Sequence, residues 1–183
     1  VLKPDVVARA LDSVSSGPTG EGQADLTKVC LTPRGLPISQ KDIKRFAAGP
    51  GIVLLCGRFE GIDQRVIEKR GLEEISLGDI VLSSGEPAAL ALIDACVRLL
   101  PGVMGNREGV VNESFEEGLL EHPQFTRPRI WEGYEVPEVL LSGNHKSIES
   151  WRQHEAEIVT RERRPDMWQS FASMWLKRKV TSN

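Results

Sequence analysis

The chain has 183 residues, 40% hydrophobic and 27% charged, with a formal net charge of −3 at pH 7; that length supports one large domain, or one with a small appendage. No run of about 18 apolar residues offers a membrane span, and no charged-then-apolar leader opens the sequence, so neither a transmembrane segment nor a secretory signal is expected. Cys30, Cys56 and Cys96 form no CxxC pair and His122, His145 and His154 have no metal-ligand spacing, so zinc and redox motifs are excluded and buried thiols in a reducing compartment are expected.

Leu2 to Val14 carries apolar residues at 2, 6, 7, 10, 11 and 14, the period of a helix, with Pro4 in its first turn. "SSGPTGEGQ" (15–23) reads as a surface loop. "TKVCL" (27–31) is a short strand, stopped by "TPRG" (32–35). A helix follows over 39–49, with Ser39 and Gly49 as caps. "GIVLLCG" (51–57) is a continuous apolar run, the pattern of a strand buried on both faces. Residues 62–71 read as a helix ending at Gly71. "EISLGDIVLSSGE" (74–86) is an interrupted strand followed by glycine turns. Pro87 opens an apolar helix to Leu100.

Strand and helix alternate this far, which argues for a parallel sheet with helices on its faces. From 101 to 143 Gly and Pro are frequent and periodicity fades. The last forty residues read as helical, with Trp151, Trp168 and Trp175 available as core anchors. Residues 144–179 carry a net charge of +3 against −6 for the rest, a mildly basic end on an acidic body. On charge alone, that end reads rather more readily as a solvated helical face.

Three strand candidates end in special loops: "LTPRG" (31–35), "CGRFEG" (56–61) and "SLGDIVLSSGE" (76–86). Ligands of open α/β sheets bind beyond the carboxyl ends of the strands, and glycines there permit positive φ and close backbone approach. Neither GxGxxG nor GxxxxGK[ST] is present, which removes the dinucleotide and ATP fingerprints. Backbone donors, apolar Leu31, Leu77 and Leu82, and the acids Glu60, Asp79 and Glu86 remain. Such a set suits a neutral or cationic ligand with an adenine-like ring better than a polyphosphate.

"LCGRFEGIDQRV" (55–66), "SLGDIVLSSGE" (76–86), "LIDACVRLLPGVMG" (92–105), "NESFEEGLLEHPQFTRPRIWEG" (112–133), "VPEVLLSGNH" (136–145) and "RRPD" (163–166) together resemble the bacterial tRNA (guanine-N1)-methyltransferases of the SPOUT, or trefoil-knot, class. The resemblance covers nearly the whole chain. It implies an α/β fold: a parallel sheet with helices on both faces and a deep trefoil knot at the end of that domain, plus a small helical C-terminal domain. It divides the chain into a cofactor-binding domain (1–103), a linker (104–118) and a helical tRNA-binding domain (119–183). It implies a cytoplasmic enzyme that moves a methyl group from S-adenosylmethionine (AdoMet) to N1 of the guanine 3′ of the anticodon, position 37. The same resemblance implies a homodimer with each active site at the subunit interface, and Mg²⁺ dependence, although no metal cluster is visible in the sequence. The family's first strand and its "GGGPG"-type loop are expected to precede Val1.

On that resemblance the cofactor residues are Leu31, Thr32, Pro33, Gly57, Phe59, Glu60, Gly61, Leu77, Gly78, Asp79, Ile80, Val81, Leu82, Ser84 and Gly85. Phe59 would pack near the adenine. Arg58 would pair with an acid or a phosphate, Glu60 being one alternative partner. Methylating guanine N1 requires loss of its proton and support for negative charge growing on O6. The family's base is the acid before "SF", here Glu113, where Asp is the usual residue. Arg98 matches the arginine that orients the base, and a salt bridge to Asp94 is its structural alternative. tRNA contacts are expected from Arg127, Arg129, His145, Lys146, Arg161, Arg163 and Arg164. Departures from the family pattern are Ser84 for a second glycine, Ala88 for a proline, and Cys30 and Ile80 at positions that are often aromatic. Ser84, Glu113 and the expected absence of the N-terminal segment support one rival, a non-catalytic knotted RNA-binding relative with a decayed cofactor site. A different knotted RNA methyltransferase, against which the 112–128 linker argues, and a small-molecule α/β enzyme are the others.

Overall fold

The computed structural model describes residues 1–16, 26–58, 60–104, 113–115 and 118–181, without the side chains of 15, 16 and 176–181. The loop expected at 15–23 therefore lies largely outside the described residues, as do Phe59 and most of the linker. The chain forms two compact units, Val1–Gly105 and Asn106–Asn183.

The first unit runs α1 (Pro4–Ser16), β1 (Thr27–Pro37), α2 (Gln40–Ala48), β2 (Ile52–Cys56), α3 (Gln64–Arg70), β3 (Glu73–Ser76) and α4 (Glu86–Val97). The strands form a parallel sheet in the order β2–β1–β3. Side chains alternate across a strand, and β1 uses this fully. Val29 and Leu31 pack with Ile43 and Phe46 of α2 and with Ala88, Ala89 and Leu92 of α4. Cys30, between them, packs on the other face with Val7 and Leu11 of α1 and Val66 and Ile67 of α3. Helices thus cover both faces, as the alternation of elements predicts.

Two expectations about the strands change. The apolar run of β2 suggested the most buried strand, yet all five of its residues are only half-buried. β2 is an edge of the described sheet, and the centre is β1, where Val29, Cys30 and Leu31 are buried. Nor does β1 stop at Leu31. It pairs with Ile75 through Leu31, bulges over 32–35, and pairs with Ile75 again through Leu36. Gly35 makes the return possible, because a Cβ there would come within 3 Å of the backbone of Glu74 and Ile75.

The helix ends follow local chemistry. Ser39 caps α2 through a reciprocal capping box with Asp42, whose carboxyl is held below its ordinary range chiefly by the Ser39 hydroxyl. Asp63 caps α3, one residue later than the period suggested, and Gly71 ends it in the left-handed region at φ 61°.

The second unit contains the strands β4 (Ile130–Trp131) and β5 (Tyr134–Glu135), paired as an antiparallel hairpin, then α5 (Glu138–Leu141), α6 (His145–Arg163) and α7 (Pro165–Thr181). The hairpin turns through Glu132 and Gly133, both at positive φ. Thr160 of α6 is buried; its hydroxyl donates to the Ala156 carbonyl at 2.7 Å and accepts from the Leu120 amide at 2.8 Å. Trp151 and Trp168 are half-buried, whereas Trp175 is 48% exposed.

Candidate functional site

The three strand-end loops of the first unit enclose one cavity of about 360 Å³. The bulge of β1 supplies Leu31, Thr32, Pro33 and Arg34. The segment after β2 supplies Gly57, Arg58, Glu60, Gly61 and Ile62. The segment after β3 supplies Leu77, Ile80, Val81, Leu82, Ser83, Ser84 and Gly85, and α4 adds Ala88. Most of the cofactor residues named from the sequence therefore meet at one place. Gly78 and Asp79 do not line it: Asp79 is exposed, and Gly78, at φ 143°, closes a turn on the Ser76 hydroxyl. Sequence reasoning missed Arg34, Ile62, Ser83 and Cys30, a buried residue within β1. Arg34 was within reach, standing between Pro33 and the glycine of the bulge.

The cations at this cavity are already matched. Arg58 donates to Glu86 Oε1 from Nε at 3.1 Å and from Nη2 at 2.7 Å. Its partner is thus the first residue of α4, not Glu60. Arg58, followed by the Ser84 hydroxyl, holds the Glu86 carboxyl down at about 2. The pairing therefore favours the fold above the ordinary carboxylate range and is lost as pH falls towards 2; at this exposed site its contribution is small. Arg34 donates to Glu74 at 2.8 Å and also to Gln64. Burial pushes the Cys30 thiol up to about 11, so it is a packing group and not a nucleophile near neutrality. Of the two glycines around Arg58, only Gly61 has positive φ, at 99°.

Apolar walls, backbone groups at glycines, one exposed acid and neutralised arginines make a donor set that a planar heterocycle with a cationic arm fits and a polyphosphate does not. Among the described residues, no three His, Cys, Asp or Glu side chains come together to hold a metal ion. No described helix is long and apolar enough to cross a membrane.

Arg98 caps the C-terminus of α4; its amide bonds the Asp94 carbonyl at 3.1 Å and its side chain is half-buried. In the second unit, Glu113 is half-buried beside a pinned turn. Ser114 Oγ accepts from the Glu121 amide at 3.0 Å, and the amide of Phe115, at φ 76°, bonds the Leu119 carbonyl at 2.8 Å. Leu119 is buried, so this segment is moored in the core of its unit.

A family model for tRNA (Guanine-1)-methyltransferase TrmD matches residues 1–170. The chain belongs to this family. It is 57% identical, over 93% of its own length, to proteins named tRNA (guanine-N(1)-)-methyltransferase from Brucella ovis and Brucella suis, covering 68% and 67% of those proteins. The match spans most of both units, including the loops of the cavity and the Glu113 turn.

The cations expected to meet tRNA are spread over the second unit. Arg127 and Arg129 line a second cavity within the second unit. His145 and Lys146 open α6, while Arg161 and Arg163 lie in its last turn, about 27 Å away at 1.5 Å per residue. Arg161 sits 4.5 Å over the Trp168 ring and Arg164 is paired with Asp166.

Proposed function

We propose that the chain is a tRNA (guanine-N1)-methyltransferase acting at the guanine 3′ of the anticodon with AdoMet as methyl donor. The observation that carries this is the single cavity at the carboxyl ends of three parallel strands, lined by the family's loops and with its arginines already neutralised. Bound AdoMet supplies a methyl group activated by its own sulfonium charge. The protein's part is to hold the donor, present the guanine and take a proton. The backbone at Gly57, Gly61 and Gly85 would follow the adenosine, with Leu31, Leu77 and Leu82 excluding water. Glu113 would accept the N1 proton, and Arg98 would stabilise charge on O6. The trefoil-knot path, and the division into a cofactor domain (1–103), linker (104–118) and tRNA domain (119–183), belong to the same reading. A cytoplasmic setting agrees with three free thiols. No observation favours the non-catalytic alternative.

A homodimer completes the proposal, and α4 supports it. Its inner face is buried through Ala88, Ala89 and Leu92, yet Leu90, Ile93 and Val97 form a second apolar stripe facing outward, Leu90 being 67% exposed. Such a stripe on a soluble chain marks an interface. Leu90→Glu with Ile93→Glu is expected to shift the light-scattering mass to that of a monomer; an unchanged dimer would place the interface elsewhere.

The reading is tested by calorimetric titration with AdoMet followed by tRNA methylation assays. Saturable binding, and methyl incorporation at N1 of the guanine 3′ of the anticodon, are the expected results. Binding without transfer to any tRNA by the dimer would refute it.

A further inference from the structure

The second unit has a cavity of its own, of about 430 Å³, between the segment 122–129, α5 and α6, within the range of roughly 300–1,000 Å³ typical of small-ligand sites. Its apolar surface comes from Val136, Leu140 and Ile148. Trp151 holds Phe125 edge-on at 6.0 Å, which fixes a ring that is 45% exposed. Arg127, Arg129 and Arg152 line the same cavity, and no described acidic residue does. None of these three pairs with a described carboxylate, whereas Arg9, Arg34, Arg45, Arg58, Arg65, Arg70 and Arg164 all do.

In a chain of net charge −3, unmatched guanidinium groups around a held aromatic ring are a specific arrangement. Guanidinium forks bind phosphate oxygens, and an exposed aromatic face stacks on a nucleobase. His122 adds polar capacity: its Nδ1 donates to the Pro123 carbonyl at 3.0 Å, which leaves Nε2 as an acceptor in the neutral ring. We infer that this cavity binds one unstacked nucleotide of the RNA substrate, a base other than the methylated guanine, with the base on Phe125 and its phosphates on Arg127, Arg129 and Arg152. The inference rests on the proposed reading that the substrate is tRNA. It adds Phe125, His122 and Arg152 as positioning residues, so their loss should act on RNA affinity and not on the chemical step.

The test uses the whole chain and anticodon stem–loop RNAs, each with one loop nucleotide made abasic. With the wild-type chain, one abasic position outside the target guanine is expected to weaken binding roughly tenfold, as loss of one stacked base does. Phe125→Leu should bind the intact RNA at that weakened level and lose no more when the same base is removed. Arg152→Gln should raise KM for RNA, leave kcat at saturation unchanged, and lower the salt slope by about one. An abasic penalty that persists in full in Phe125→Leu overturns the assignment. So does a change in light-scattering mass in either variant without a change in RNA affinity, which would make the cavity an interface with a second copy. A wild-type chain that methylates tRNA but loses nothing to any abasic substitution overturns the cavity assignment alone. One that binds no tRNA overturns the underlying reading along with it.

Discussion

Glu113→Gln is expected to lower methyl-transfer turnover by roughly 10²–10⁴-fold, the usual worth of a positioned general base, while leaving AdoMet affinity unchanged. Guanine N1 carries a proton in the neutral base, and its lone pair is not free to attack until that proton leaves. An amide has the shape of the carboxylate but cannot take the proton. The fold should tolerate the change, because Gln keeps the shape of Glu and the turn is also pinned by Ser114 Oγ with the Glu121 amide and by the Phe115 amide with the Leu119 carbonyl. AdoMet affinity should hold because the role proposed for Glu113 is towards the guanine N1 proton and not towards the cofactor. Glu113→Asp restores the family's usual residue and should stay within about tenfold of the parent, since carboxylate chemistry is kept and only reach changes. Single-turnover methylation with saturating AdoMet measures the step directly. Near-normal transfer by the Gln variant would remove Glu113 from the role of base.

What the sequence disclosed and what it hid divide along physical lines. The strand-end loops were legible because glycine clusters after apolar runs have few other uses, and the structure gathers them around one cavity. Helix ends were legible from Ser39, Pro87 and Gly71, whose side chains or backbone freedom act locally. The burial order of the strands was not. β2 is the more continuous apolar run, but burial depends on neighbours in the sheet, and pairing of β1 with both β2 and β3 is a long-range fact. The extension of β1 past "TPRG" was hidden for a similar reason: Gly35 reads as a turn residue until the backbone of β3 is seen against it. The β4–β5 hairpin escaped because strands of two residues carry no period; only Glu132-Gly133 between Trp131 and Tyr134 hinted at it. The unmatched arginines of the second unit could not be told from matched ones, because ion pairing is decided by partners distant in sequence, as with Arg70 and Asp12.

The largest effect expected on the first unit is that of Gly85→Ala, and Gly57→Ala is its control. Gly85 precedes α4 at φ −78° and ψ −17°, a conformation open to any residue, so backbone strain is not the issue. Space is. Its amide bonds the Gly57 carbonyl at 3.0 Å, and a Cβ would lie 2.8 Å from the Cys56 Cα and 3.0 Å from the Gly57 nitrogen. Both are backbone atoms at the end of a strand, which cannot rotate away as a side chain can. Inserting the methyl should push α4 from β2 at a cost of roughly 1–3 kcal/mol, lowering Tm by about 3 °C per kcal/mol for a chain of this size. The same shift displaces Ser84 and Ala88 in the cavity wall, so AdoMet should no longer raise Tm. At Gly57 an added Cβ would sit 3.5 Å from Ile62 Cδ1, ordinary contact with the tip of a flexible side chain. Gly57→Ala should therefore keep Tm within about 1 °C, since large shifts come from overpacking or strain. It should weaken AdoMet binding only by crowding Ile62, which lines the cavity. Thermal scans of both variants, with and without AdoMet, separate fold from site. Equal destabilisation by the two substitutions would mean that contact with the β2 backbone is not what requires glycine at position 85.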